Sequence, residues 1–126
     1  MNKRMRKKKL DWYTVTLLFE YQSVGEPDLE KIDEEYTEDK LYEEITILFQ
    51  ASSHEQAHAK AKRVAKDEER EFTNVYGETV KYVFIKAIQS LHLWDKTLQT
   101  GTEVHYRFLY TPNKLSREDF LSQQYP

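Results

Sequence analysis

The sequence predicts an α+β fold in which a four-stranded antiparallel sheet carries one long helix on one face, in the order β-β-α-β-β, with a short C-terminal helix. Two early stretches, 11–21 and 41–51, alternate in polarity with a period of two, as strands do. Between positions 52 and 76, alanines recur at helical spacing. Strand-type patterns return after residue 79, so the helix separates two pairs of strands.

The first two predicted strands have one apolar face and one mixed face. In 11–21 the apolar face carries Tyr13, Val15, Leu17, Phe19 and Tyr21. The mixed face of both strands combines Trp12, Leu18, Tyr42 and Leu48 with Thr14, Thr16, Glu44 and Gln50. A single helix covers only one side of a sheet, so we expect the mixed face to stay open. Apolar residues gathered on an exposed face are typical of a docking surface.

The predicted helix begins behind a serine cap. Ser52 and Ser53 precede it, and Glu55 and Gln56 are placed to complete a capping box. Its inner stripe is Ala57, Ala61, Val64, Ala65 and Phe72, which is mostly small and allows a close approach to the sheet. Asn74 and Gly77 predict its end near residue 76, since glycine readily adopts the left-handed conformation.

Two further strands and a short helix are predicted after residue 79. Residues 79–94 form a long strand with a bend or bulge near 87–90, and 95–101 a turn. Residues 103–110 alternate again and form the last strand, which Pro112 terminates. The short helix covers 116–123, with Ser116 as its cap and Phe120 and Leu121 as its apolar anchors.

The charges divide the chain into three parts. Six of the first ten residues are basic, whereas the other 116 residues hold 13 basic and 22 acidic side chains. We therefore expect a disordered basic arm at 1–10, one α+β domain at 11–111 and a C-terminal tail at 112–126. A strongly acidic stretch, 26–44, reads as a long solvated loop between the first two strands.

Composition excludes several classes of protein. There is no cysteine, so disulfides, thiol nucleophiles and cysteine zinc sites are absent. Only three glycines occur, none in a phosphate-binding loop, and no serine lies in a nucleophile elbow. No apolar run spans a bilayer or resembles a signal peptide, so we expect a cytoplasmic protein with no cofactor. The acidic body makes nucleic-acid binding improbable, except as contact through the basic arm.

The sequence His54-Glu55-Gln56-Ala57-His58 matches the zinc-peptidase pattern. Two histidines four residues apart share one helix face and can hold a metal, while the glutamate between them activates water. The motif starts in the first helical turn and no third ligand stands out. We therefore favour capping and packing for these residues and keep a zinc hydrolase as an alternative.

A second candidate site lies on the last predicted strand. Glu103, His105 and Arg107 share one face there. Arg107 can bind an anion with its planar fork of donors, next to Glu103, His105 and flat walls from Trp12 and Tyr42. The competing interpretation is an ordinary surface or cross-strand pair with Lys81 or Glu44.

The chain resembles a family catalogued as domain of unknown function 4288. The resemblance rests on Trp12-Tyr13, on Tyr42-Glu43-Glu44, on the Ala-rich helix at Ala57, on the turn from Asn74 to Thr79, and on Gly101-Thr102-Glu103-Val104. It extends over about residues 11–110, and the basic arm and the acidic loop are not part of it. It implies a stand-alone bacterial or phage protein and brings no catalytic residues.

These observations favour a small non-enzymatic binding protein, such as an immunity protein, an inhibitor or a sequesterer of an anionic signalling ligand. We expect it to form homo-oligomers through the open sheet face or a sheet edge. A protein partner or an anionic small molecule are the other expected partners. The zinc hydrolase and nucleic-acid contact through the basic arm are the two alternatives.

Overall fold

A computed structural model describes residues 9–126 and confirms the predicted α+β architecture. The strands are β1 (Asp11–Val24), β2 (Leu41–Ala51), β3 (Arg70–Thr73) and β4 (Thr79–Leu93), and the helices are α1 (His54–Glu68) and α2 (Arg117–Gln124). All strand pairs are antiparallel and lie in the order β2-β1-β4-β3. No helix in this part of the chain is both long and apolar enough to cross a membrane.

The core lies between α1 and the apolar face of the sheet. Val15, Leu17 and Phe19 of β1 are fully buried there, as the alternating pattern predicts. On the helix, Ala57, Ala61 and Ala65 are also fully buried and belong to the same cluster. These three side chains recur every four residues and are short, so the helix backbone lies close to the sheet.

Local signals set the start of both helices. The Ser53 hydroxyl accepts the backbone N–H of Gln56, and the Gln56 side chain accepts the N–H of Ser52, which completes the predicted capping box. Ser116 caps α2 in the same way, through the N–H of Asp119. The helix α2 packs against none of the strands.

The second half of the sheet differs from the prediction in two places. The helix ends at Glu68, not near residue 76, and Arg70–Thr73 form β3 instead. Residues 103–110 belong to none of the strands in the described chain, so the prediction of a strand there is wrong. The order β-β-α-β-β survives because β3 supplies the missing strand. An alternating pattern shows that a segment suits a sheet, but it does not specify a partner.

The strand β4 is irregular in the middle. Its pairing with β1 shifts between Thr16 and Leu17 and again between Leu18 and Phe19, which leaves Ile88 and Ile85 as extra residues on β4. The bend predicted near residues 87–90 therefore exists. Both isoleucines are exposed by more than 40%.

On the face of the sheet opposite α1, the exposure of the side chains differs between β1 and β2. In the β1–β2 ladder Trp12 pairs with Gln50 and Thr14 with Leu48, so these residues share one face, as predicted. The threonines of β1 are buried, Trp12 and Leu18 are half-buried, and Leu48 and Tyr42 on β2 are exposed by 39% and 50%. The apolar exposure on this face is thus greatest along β2.

Candidate functional site

An acidic cleft lies where β1 ends and the loop between β1 and β2 begins. It encloses about 600 Å³ and is lined by Glu20, Glu26, Glu38, Asp39 and Glu78, with Lys40 as the one cation in its lining. Tyr21 and Tyr36 add aromatic surface. In residues 9–126 the salt bridges involve other carboxylates, so these five charges are not neutralised by ion pairs.

Hydrogen bonds hold the acidic loop against the turn between β3 and β4. The N–H of Asp28 donates to the carbonyl of Tyr76 (2.8 Å), and the Tyr76 hydroxyl donates to Asp33 Oδ1 (2.8 Å). The rings of Tyr36 and Tyr76 meet edge to face, 5.0 Å between centroids. The loop is therefore anchored at several points, which a purely solvated loop would not be.

Gly77 makes the close contact of loop and turn possible. It adopts φ +81°, and a Cβ at this position would lie 3.4 Å from Cβ of Asp28. Most side chains disfavour this backbone conformation. Beside it Asn74 accepts the N–H groups of Tyr76 and Glu78 and donates to the Glu78 carboxylate (3.0 Å), which fixes that carboxylate at the cleft.

The acidic side chains of the cleft influence one another and their neighbours. Gln22 donates to Glu20 (2.8 Å) and keeps the pKa of Glu20 below its ordinary value, so Glu20 remains charged. Burial, with the charges of Glu78 and Glu38, raises the pKa of the Tyr36 phenol. The cleft thus presents concentrated negative charge on an ordered frame, an arrangement that attracts cations and repels anions.

A match to a known protein family identifies the family of the chain. The model of the family described as a domain of unknown function, DUF4288, matches residues 12–106. The chain belongs to the DUF4288 family. No curated protein and no solved structure gives a significant match to it.

The DUF4288 match confirms the predicted resemblance and extends it. It includes the acidic loop, which the sequence-based resemblance left out, and it ends at residue 106 instead of about 110. The turn from Asn74 to Thr79, which contributes to the resemblance, is the part of the fold that anchors this loop. The acidic cleft therefore lies wholly within the family region.

The motif from His54 to His58 lies at the start of α1, at the opposite end of the sheet from the acidic cleft. The His54 ring packs edge-on against Tyr13 (5.0 Å between centroids), and its Nδ1 is hydrogen-bonded to the Ser90 hydroxyl (2.5 Å). His58 is half-buried and Glu55 is exposed. Packing of His54 on the sheet agrees with the favoured interpretation.

The described part of this DUF4288 chain contains no group of three or more His, Asp or Glu residues arranged to hold a metal. His92, one of the histidines near the motif, is instead bonded through Nε2 to Asp11 (3.0 Å). The zinc-hydrolase alternative stays a prediction, which metal analysis of the purified protein tests.

The five residues of the predicted anion site are not brought together. Trp12 pairs with Gln50 and Tyr42 with Glu20, eight positions apart along the same ladder, so they are roughly 26 Å apart. Glu103, His105 and Arg107 are exposed and lie in a segment outside the sheet of the described chain. A single small ligand does not contact both Trp12 and Tyr42, because the pairing places them near opposite ends of β1.

Most cations of the predicted basic arm, from Lys3 to Lys8, lie outside the described residues, and so do the predictions of disorder and of nucleic-acid contact made for them. Lys9 is exposed.

Proposed function

We propose that this DUF4288 protein is a non-enzymatic binding protein of the inhibitor or immunity type, which docks a basic protein surface on its acidic cleft. The observation that carries the proposal is the anchored acidic loop. Its carboxylates are uncompensated by ion pairs in the described chain, and the loop is fixed by hydrogen bonds to the Tyr76–Glu78 turn. Because the frame is already ordered, little conformational entropy is lost when a partner binds.

The charge of the cleft selects among the binding functions that the sequence leaves open. Five carboxylates and one ammonium group line it, so an anionic signalling ligand would be repelled. A partner rich in Lys or Arg would be steered towards it over a distance of about 10 Å at moderate ionic strength. Tyr21 and Tyr36 provide rigid aromatic surface of the kind that dominates binding energy at protein interfaces.

The bacterial or phage origin implied by the family fits this proposal. Small acidic proteins suit the neutralisation of basic enzymes, since the surface that binds nucleic acid in such an enzyme is cationic.

The first prediction concerns binding to a cationic probe. A fluorescent oligolysine peptide is titrated with the full chain and with a variant in which Glu20, Glu26 and Glu38 are replaced by Gln. We expect the triple variant to bind at least about tenfold more weakly, because it loses three of the five cleft carboxylates. We also expect the wild-type affinity to fall steeply with added salt.

The matched control replaces three exposed carboxylates outside the cleft, Glu68, Glu71 and Glu118, by Gln. It has the same net charge as the cleft variant, so it should retain nearly the wild-type affinity. Equal weakening of both variants would show that only net charge matters and would contradict a defined site. A chain without residues 1–8 is measured in parallel, because the basic side chains of these residues in the full chain compete with the oligolysine peptide.

A further inference from the structure

The strand β4 has an unpaired edge. It pairs with β1 along its whole length, but β3 covers its other side only from Thr79 to Tyr82. The Glu69 carboxylate then accepts the N–H of Phe84 (3.0 Å). From Ile85 to Leu93 no backbone hydrogen bond joins that side to any other part of residues 9–126. Unpaired N–H and C=O groups on such an edge are a template for another strand.

Segment 103–110 has the sequence pattern of a strand but belongs to no sheet in the described chain. It alternates in polarity, and its backbone forms no hydrogen bond to other backbone groups in the described chain. Val104, Phe108 and Tyr110, at alternate or doubly alternate positions, are exposed by 55%, 80% and 96%. Burial of such exposed apolar surface favours association with a partner.

In the described chain, the segment 103–110 does not pair with the β4 edge of its own chain. Lys96, just after β4, donates to Asp11 at the start of β1 (2.8 Å). This contact lies on the β1 side of β4, across from the unpaired edge. A further turn, in which the N–H of Thr102 donates to the carbonyl of Gln99, precedes the segment.

We infer that residues 103–110 of one copy add as an antiparallel strand to the free edge of β4 in a second copy. The lengths match, because eight residues meet the nine from Ile85 to Leu93. Placing Glu103 opposite Leu93 brings Phe108 opposite Ile88 and Tyr110 opposite Lys86. In this register Pro112, which lacks an N–H, meets Phe84, whose N–H is already bonded to Glu69.

The side chains in this register are compatible. Ile88, exposed by 41%, lies opposite Phe108 in this register and supplies apolar surface for its ring. Lys86 lies opposite the Tyr110 ring, a favourable arrangement of cation and aromatic face. The other free edge of the sheet, on β2, is less suitable since Lys60 Nζ already occupies the carbonyl of Gln50 (2.6 Å). The pairing does not involve the acidic cleft and is independent of the proposed function.

Cross-linking tests the partner strand directly, because the natural chain has no cysteine. A Phe108→Cys chain with one tag is mixed with an Ile88→Cys chain with another tag and oxidised. We expect a disulfide between the two chains, since directly opposite residues have Cβ atoms about 5 Å apart. Leu48→Cys on β2, which has a similar exposure of 39%, replaces Ile88→Cys as the control and should not cross-link.

Two outcomes of the cross-linking overturn the inference. One is a disulfide to Leu48→Cys in place of Ile88→Cys, which would assign the segment to β2. The other concerns a double variant that carries both Phe108→Cys and Ile88→Cys. If this variant, when diluted, forms a disulfide only within one chain, the segment pairs with β4 of its own chain.

Sedimentation of the wild-type chain over a dilution series measures the association itself. We expect a dimer whose dissociation constant rises about tenfold in Phe108→Asp/Tyr110→Asp, because the aromatic contacts are lost. Tyr125→Asp changes another exposed tyrosine, 57% accessible, and should leave the constant unchanged. A wild-type monomer at every concentration, or a double variant that dimerises like the wild type, would refute the pairing.

Discussion

Tyr82 joins all four strands through one side chain. It lies on β4 and is 3% exposed, and its ring stacks on Phe19 of β1 (4.4 Å between centroids). Its hydroxyl donates to Glu43 of β2 (2.6 Å), and the Arg70 guanidinium of β3 lies over its ring (4.4 Å). Burial and the Glu43 carboxylate strongly raise the pKa of the phenol, so the neutral form is the one the fold stabilises.

We therefore predict that Tyr82→Phe lowers the free energy of unfolding by about 1.5 kcal/mol, since Glu43 loses its donor while the ring packing is kept. Urea denaturation monitored by circular dichroism measures this. The wild type should also lose stability as the pH rises above 10.0, the ordinary pKa of a tyrosine phenol. Tyr82→Phe should lack the part of this loss that comes from ionisation of Tyr82. Tyr125→Phe, at an exposed position outside the proposed strand pairing, is the control, and an equal loss there would contradict the assignment.

Some features at this scale are predictable from the sequence and others are not. The caps Ser53 and Ser116 act on N–H groups three residues away, so a local pattern is sufficient to find them. The bond from Tyr82 to Glu43 joins residues 39 positions apart, and the contact of Tyr76 with Asp33 joins residues 43 apart. Neither pair has a spacing that a single sequence reveals.

At the scale of elements, the fit of α1 to the sheet depends on three short side chains. Ala57, Ala61 and Ala65 have no exposed surface, and the facing strands supply the larger residues Val15, Leu17 and Phe19. Protein interiors are close-packed, so added volume at this contact cannot be absorbed without moving the helix.

We predict that Ala61→Leu destabilises the fold by about 1–3 kcal/mol through overpacking. Ala59→Leu, on the exposed side of the same helix, should change the stability by less than about 0.5 kcal/mol, because Leu and Ala have similar helix propensities. Thermal and urea unfolding of both variants gives the comparison. A tolerated Leu at position 61 would show that the helix is free to shift.

The end of α1 shows why element boundaries are harder to predict than element types. Glu69, Arg70 and Glu71 are compatible with a helix, so the pattern continues past Glu68. Tertiary contacts decide otherwise: Glu69 bonds the backbone of Phe84, and Phe72 packs edge-on against Tyr21 (6.3 Å between centroids). These contacts form only when residues 70–73 lie in the sheet, and they stabilise β3 in place of a longer helix. The same lack of partner information explains the misplaced strand at 103–110.

At the scale of the whole molecule, one ion-pair cluster ties the beginning of the domain to its last strand. Asp11 accepts hydrogen bonds from Lys96 (2.8 Å) and pairs with His92 (3.0 Å). The Lys96 ammonium and the His92 ring hold the pKa of the Asp11 carboxyl below its ordinary value of 3.8. The ionised form is thus favoured in the folded protein. The stabilisation by ionised Asp11 is complete above pH 3.8 and is lost as the pH falls through the lowered pKa of its carboxyl.

We accordingly predict that Asp11→Asn is less stable than the wild type at neutral pH and that the difference shrinks as the pH falls below 3.8. Urea denaturation at a series of pH values measures it. Asp67→Asn, an exposed helical carboxylate outside the ion pairs described here, provides the control. A difference that stays constant down to pH 2 would contradict this role for Asp11.

The acidic cleft is the feature that the sequence predicts least well. The sequence indicates that residues 26–44 are acidic, but it does not reveal that Glu20 and Glu78 join them, because the three parts meet only when the turn near Gly77 docks on the loop. The residues of the predicted anion site lie apart for the complementary reason: the prediction made residues 103–110 the last strand, and they belong to no sheet in the described chain.

The carboxylates of the cleft gather at the Val24 end of β1, so they concentrate negative charge at one end of the sheet. Under the proposed function, a cationic macromolecule in such a field experiences a torque before it makes contact, so many collisions begin with the cleft already facing it. The proposed partner would thus approach from this end.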